Sequence, residues 1–248
     1  MANPFSLEGK NVLITGAASG IGRATAKECA NMGASLVLMD LNAAGLDAIK
    51  AEIGDETILT YALNLTDYEL LCNTIAQLPK LDGVFSNAGI VKSLMAKFSG
   101  KEDMEKLFNV NTFSHINLVQ QLVAQKKLNK GASIVFTSSM SGVYAGLVGG
   151  SLYGATKAAI AGYTKALAIE LAPRGIRVNT VHPGMIETPL TKGTALSQDV
   201  LDEDAKNYPL GRYGKPEEVA YAVIYLLSDA TVWMTGSQLL LDGGYSVK

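Results

Sequence analysis

The apolar positions fall into two rhythms. Short runs rich in aliphatic and β-branched residues alternate with longer stretches whose apolar residues recur every three or four positions. Residues 11–15 (Asn-Val-Leu-Ile-Thr) read as a strand. They lead into a helix over 21–32, where Ile21, Ala24 and Glu28 keep helical spacing. Residues 34–40 read as the next strand, 41–54 as a helix and 57–63 as a third strand. Strands over 81–86, 133–137, 177–181 and 238–241 continue the series, with helices over roughly 67–78, 101–127, 153–171 and 216–227.

Strands that are apolar on both sides belong in a sheet covered on both faces. Strand–helix alternation then predicts an α/β fold: a doubly wound parallel sheet of about seven strands with helices on both faces. No internal repeat or linker-like stretch divides the chain, so residues 1–248 read as one domain. The least regular stretch, 184–212, follows a strand end. It reads either as a substrate lid or as an ordinary surface excursion.

Composition narrows the function classes. Apolar residues make up 48% and charged residues 18%, which sets the chain apart from disordered sequences. The net charge is −2 with the signs interspersed, so no basic patch points to nucleic acid and no Lys/Arg run to an anionic membrane. The first ten residues lack a basic stretch followed by an apolar one, and no apolar run reaches membrane-spanning length. A cytoplasmic protein is expected. Cys29 and Cys72 fall in helices and read as free thiols. His115 and His182 are the only histidines, and no His/Cys/Asp/Glu cluster has metal-ligand spacing, so no catalytic metal is expected.

The first strand runs directly into Thr15-Gly-Ala-Ala-Ser-Gly-Ile-Gly22. Gly16, Gly20 and Gly22 permit a tight turn and let backbone approach a pyrophosphate, while the following helix offers free N–H groups and a positive dipole end. A glycine-rich loop alone is weak; its place between a first strand and a first helix strengthens it. Asp40 ends the second strand, at the spacing of a carboxylate that accepts hydrogen bonds from an adenosine ribose. The other reading of Asp40 is a helix N-cap. Such a carboxylate repels a 2′-phosphate, and neither the glycine loop nor Leu41 supplies a basic residue, which favours NAD(H) over NADP(H).

The ordered set of motifs resembles the short-chain dehydrogenase/reductase family. Thr15–Gly22 is similar to its TGxxxGxG turn, Asn87-Ala-Gly89 to its NAG motif, Ser139 with Gly142 to SxxG, and Tyr153-Gly-Ala-Thr-Lys157 to YxxxK. Asn111, Pro183-Gly184, Thr188 and Leu241-Asp-Gly-Gly244 extend the likeness nearly end to end. The resemblance implies a Rossmann fold. It implies a dinucleotide held by Gly16, Ser19, Gly20, Ile21, Gly22, Asp40, Leu41, Asn64 and Leu65 on the adenosine side. On the nicotinamide side it implies Asn87, Ala88, Gly89, Tyr153, Lys157, Pro183, Gly184, Ile186 and Thr188. Two positions depart from the family pattern: Asn64 stands where an aspartate is frequent, and Ser86 where an NNAG run would begin with asparagine. The family resemblance also implies a homotetramer built through the helices over 101–127 and 153–171.

The chemistry follows from residue types. Interconverting a secondary alcohol and a ketone needs a group that takes or gives the hydroxyl proton while hydride moves. A free tyrosine titrates near ~10, and a neighbouring ammonium stabilises its phenolate. Tyr153 and Lys157, four apart on a predicted helix, share one face. Ser139 would donate to the substrate oxygen, with Ser138 as its competitor for that role. By the resemblance, Asn111 would hold a water linking Lys157 to solvent. The substrate rim is expected to draw on 91–96, 141–150 and 185–208, including Lys92, Ser141, Tyr144, Met185, Leu190 and Lys192. The main expectation is an NAD(H)-dependent oxidoreductase acting on a small-molecule secondary alcohol or ketone. One alternative is an NADPH-dependent 3-oxoacyl-acyl-carrier-protein reductase, against which Asp40 argues. A second, a catalytically silent NAD-binding protein, fits poorly with an intact YxxxK.

Overall fold

The computed structural model describes residues 3–192 and 198–248. Its centre is one seven-stranded sheet. The strands are β1 (Asn11–Thr15), β2 (Ser35–Asp40), β3 (Leu59–Ala62), β4 (Leu81–Ser86), β5 (Leu128–Thr137), β6 (Arg177–Pro183) and β7 (Gln238–Leu241). Their order is β3-β2-β1-β4-β5-β6-β7, and every neighbouring pair is parallel.

The strand side chains explain the two-faced core. Val12 and Ile14 of β1 join Leu36 and Leu38 of β2 on one face, while Leu13, Val37 and Met39 join the other. Successive strand residues point to opposite faces, so both faces need helices. The first is covered by α1 (Gly20–Asn31), α2 (Ala43–Ile53) and, further along the chain, Pro216–Leu227. The second is covered by α3 (Tyr68–Gln77) together with Ser114–Ala124 and Ser151–Leu171. Each fully buried Leu, Ile or Val in these two clusters contributes about 1.5–3 kcal/mol.

The structure departs from the sequence pattern in the expected helix over 101–127, which is three pieces. These are α4 (Lys101–Phe108), a π-helical segment Asn109–Phe113, and α5 (Ser114–Ala124). The chain then turns at Lys126, whose φ of 56° lies in the left-handed region. Strand β5 also begins earlier than expected: half-buried Asn129 and exposed Lys130 and Gly131 precede its apolar part, and a register shift separates Leu81 from Gly83. The remaining helices are α6 (Ser151–Leu171), α7 (Pro189–Lys192), α8 (Gln198–Ala205) and α9 (Pro216–Leu227). Helices α7 and α8 lie in the expected lid over 184–212. Residues 193–197 of that stretch, and the side chains of Leu190 and Lys192, lie outside the described residues. Among the described residues, no helix is long and apolar enough to cross a membrane.

Candidate active site

A cleft of about 1070 Å³ opens at the carboxyl ends of β1, β4, β5 and β6. There the strand order doubles back between β1 and β4, the place where an open parallel sheet offers a ligand crevice. Gly16, Ser19, Gly20, Ile21, Asp40, Leu41, Asn64 and Leu65 line one end. Asn87, Ala88, Gly89, Ser139, Ser141, Tyr153, Lys157, Pro183, Gly184, Met185, Ile186 and Thr188 line the rest. Gly22 and Asn111 stand behind the wall rather than in it.

The glycine turn is built for close approach. A Cβ on Gly22 would lie 2.0 Å from the Gly16 carbonyl oxygen and 2.9 Å from Asn87 Nδ2, so only glycine lets α1 start against the first turn. The N-cap of α1 is Ser19, whose side chain makes no capping hydrogen bond, and the first helical turn carries no acidic residue. The helix start therefore keeps free N–H groups for an anion. These features fit a dinucleotide pyrophosphate. Thr188, from the segment after β6, folds back over this turn: a Cβ on Gly20 would lie 3.2 Å from its methyl group.

Asp40 is positioned by backbone. Its Oδ2 accepts from Ala18 N–H (3.0 Å) and its Oδ1 from Asn42 N–H (2.9 Å). The N-cap of α2 is Asn42, which accepts from Gly45 N–H, so capping is not Asp40's role. Beside it, exposed Leu41 offers an apolar surface to the cleft. Asn64 spends its carbonyl oxygen on the N–H and hydroxyl of Thr66, which leaves its amide as the group offered to the cleft.

A hydrogen-bond chain connects the central strands. Thr15 Oγ1 accepts from Asn87 N–H (2.9 Å) and Ala88 N–H (3.1 Å), and Asn87 Oδ1 accepts from the Thr137 hydroxyl (3.0 Å). Lys157 Nζ donates to the Thr137 carbonyl (2.9 Å). Helix α6 can lie this close to β5 because Gly142 and Gly154 touch: a Cβ on Gly142 would fall 2.3 Å from the Gly154 carbonyl oxygen.

Ser139 stands close enough to Tyr153 to favour its phenolate form, and Ser139 Oγ accepts from Ser141 N–H (3.1 Å). Ser138 is settled differently, since its hydroxyl donates to the Lys157 carbonyl (2.8 Å). Ser139 is therefore the serine that faces the tyrosine. Electrostatics depart from the expectation of an acidified phenol. Burial pushes the Tyr153 hydroxyl above its ordinary value, and nearby Ser139 only partly offsets this. Lys157 lies 5.8 Å from the centroid of the Tyr153 ring and hydrogen-bonds Thr137 instead of the phenol. Its own burial pushes its pKa down to about 8.

The Asn111 side chain is anchored on its neighbours. Its Oδ1 accepts from Ile90 N–H (2.9 Å), and its Nδ2 donates to the Ile90 carbonyl (2.9 Å) and Thr156 Oγ1 (3.3 Å). The side chain is spent on protein, tying the turn after β4 to α6; the π-helical segment presents it there. Among expected rim residues, Tyr144 lies outside the cleft, donating to Gln238 Oε1 (3.3 Å). The cleft gains two aromatic walls instead. Buried Tyr208 accepts from Met185 N–H (3.2 Å), and Tyr245, which the sequence reading missed, stacks 5.0 Å from it. Among the described residues, no group of three or more His, Cys, Asp or Glu side chains could hold a metal ion.

Comparison with known proteins agrees with this architecture. Residues 16–246 match the family model described as enoyl-(acyl carrier protein) reductase. The chain is 39% identical to the 3-oxoacyl-[acyl-carrier-protein] reductase FabG of Thermotoga maritima, covering 96% of this chain and 98% of that one. A short-chain dehydrogenase/reductase of the glucose/ribitol dehydrogenase type from Brucella melitensis superposes with a TM-score of 0.91. It is 34% identical and covers 98% and 99% of the two chains. A 3-ketoacyl-(acyl-carrier-protein) reductase from the same organism, solved with NADH, gives a TM-score of 0.88 at 32% identity, covering 98% and 100%.

Proposed function

Because the chain belongs to the short-chain dehydrogenase/reductase family of oxidoreductases, we propose that it reduces the 3-oxo group of an acyl thioester with hydride from NADH. The observation that carries the chemistry is that half-buried Tyr153 lines the cleft together with Ser139 and Lys157. Two hydroxyls converge where a single carbonyl oxygen can sit. The bound dinucleotide supplies the hydride, and the residues supply orientation and a proton. Ser139 donates to the carbonyl oxygen as it gains negative charge, and Tyr153 gives up its hydroxyl proton to that oxygen. A phenol held protonated by burial is in the form that reduction consumes.

The relatives support this substrate class. They reverse the order drawn from the sequence alone: the 3-oxoacyl reductases, placed second there, are the better guide. The cofactor half of that alternative does not follow. Asp40, held at the cleft by two backbone N–H groups, favours a free ribose diol over a 2′-phosphate. The Brucella reductase solved with NADH makes that pairing of substrate and cofactor reasonable. We further propose a homotetramer, supported by exposed Phe113 and Ile169 beside and on α5 and α6.

The test is reduced-nicotinamide consumption by the purified chain, with NADH and NADPH in parallel. The substrates are a 3-oxoacyl thioester, an enoyl thioester and a panel of simple ketones and sugars. The expected result is turnover of the 3-oxoacyl thioester with NADH, reduced about 100-fold or more in Tyr153→Phe. Faster reduction of the enoyl thioester, or of a sugar or simple ketone, overturns the substrate class. Preference for NADPH overturns the argument from Asp40.

A further inference from the structure

The turn after β4 is gripped by a residue that the reaction itself does not use. His115 lies on α5, fully inside the protein. Its Nδ1 is 2.6 Å from Ser86 Oγ and its Nε2 is 2.7 Å from the Ala88 carbonyl oxygen. A carbonyl only accepts, so Nε2 carries the proton; Nδ1 then offers a lone pair and the Ser86 hydroxyl donates to it. The partners fix the tautomer. Burial and the nearby Lys157 charge hold the ring neutral, with a pKa pushed down to about 3. The ring of Phe136 packs edge-on against it.

We propose that His115 is a positioning residue that sets the Asn87–Ala88–Gly89 turn, and with it the nicotinamide end of the dinucleotide, by bridging the end of β4 to the Ala88 carbonyl. Both peptide planes around Ala88 are fixed from opposite sides: its N–H donates to Thr15 and its carbonyl accepts from His115. One helical turn earlier, Asn111 grips the N–H and carbonyl of Ile90. The backbone of 88–90 is thus held by two side chains of one helical stretch. What the turn touches makes its position matter. Gly16 packs so closely that a Cβ there would fall 2.9 Å from Ala88 Cα, and a Cβ on Gly89 would lie 3.6 Å from Lys157 Nζ. The turn therefore fixes the spacing between the pyrophosphate cradle and the catalytic floor. This inference rests only on the family's use of a nicotinamide dinucleotide, not on the choice of NADH or of an acyl substrate.

The test uses the full chain and whichever of NADH and NADPH binds the wild type more tightly. His115→Leu removes both hydrogen bonds. His115→Gln keeps a donor and an acceptor at a spacing close to that of the two ring nitrogens. Dinucleotide affinity is read by fluorescence titration without substrate, beside thermal unfolding and kcat. The expected result is a loss of affinity of about tenfold or more in His115→Leu, with recovery to within about threefold in His115→Gln. A folded His115→Leu that melts earlier yet binds dinucleotide and turns over like the wild type overturns the proposal, because the ring is then packing alone. Should the leucine variant fail to fold, ¹⁵N NMR of the wild-type imidazoles decides. A neutral Nε2–H ring that does not titrate between pH 6 and 8 is expected, and an Nδ1–H or titrating ring refutes the bridge.

Discussion

Replacing Lys157 by methionine should make the protein more stable at neutral pH while abolishing turnover. Lys157 is 2% exposed, and burial lowers its pKa from 10.5 to about 8. A difference of roughly 2.5 units corresponds to a cost of about 3 kcal/mol for keeping the ammonium charged in the folded state. Against this stands the hydrogen bond to the Thr137 carbonyl, whose loss costs about 1–2 kcal/mol. Methionine fills the space of the lysine stem, so the net gain at pH 7 is about 1–2 kcal/mol. Its pH dependence has a definite sign. The folded-state pKa lies below the unfolded one, so between about pH 8 and 10.5 the unfolded chain binds more protons and the wild type gains stability as pH rises. Below about pH 8 the penalty is complete; above 10.5 it is gone and the variant is the less stable by its missing hydrogen bond. Denaturant unfolding of both proteins across pH 7–10.5 measures the difference, other titrating groups cancelling between them. A variant less stable than the wild type at pH 7, or a difference that does not shrink as pH rises, refutes the reasoning.

Ser139→Ala should lower kcat by about 10²–10³ with dinucleotide affinity retained, checked by steady-state kinetics and titration. The pH profile should separate the two directions. Reduction, which draws on a protonated phenol, should hold steady up to about pH 8 and fall as Lys157 loses its charge, whereas oxidation should climb with pH because burial keeps the Tyr153 proton on. Asp40→Ala should weaken NADH by about tenfold or more while easing NADPH entry, read by parallel titrations. Gly142→Ala should cost well over about 2 kcal/mol, since it combines a φ of +84° with a Cβ 2.3 Å from a carbonyl oxygen. Gly131→Ala, at φ +81° with nothing within 4 Å, should cost only about 1 kcal/mol and leave turnover unchanged, as thermal unfolding and an activity assay can compare.

How much of this was legible in the sequence depends on how local the signal is. Val12 and Ile14 against Leu13 announce a strand buried on both faces, and the strand–turn–helix at 11–22 announces the cradle, because a few adjacent residues carry each message. Asp40 could be placed from spacing alone. The break at Asn109–Phe113 could not, since no proline or glycine marks it and the apolar rhythm runs through it. Tyr245 reaches the cleft only through the turn that follows β7, a distance in space with no counterpart in the chain. His115 reads in sequence as a polar residue on an apolar helix. Its meaning lies in Ser86 and Ala88, which are 29 and 27 residues away.

The sharpest divergence concerns the tyrosine, and it bears on direction. Four-residue spacing correctly puts Tyr153 and Lys157 on one helical face, and from that alone the ammonium should acidify the phenol. Spacing says nothing about desolvation, which is the sum of everything packed around the pair. In the folded protein that sum wins: the phenol's proton is held more tightly and the lysine's less tightly than in water. Lys157 directs its hydrogen bond at the end of β5 instead of at the phenol. A site tuned in this way starts with a proton ready to give to a developing alkoxide, whereas oxidation must first remove it at a cost that rises as the pH falls. Burial, not the four-residue spacing, thus sets the resting protonation of the pair: a phenol that keeps its proton near neutral pH, beside an ammonium that gives up its own more readily.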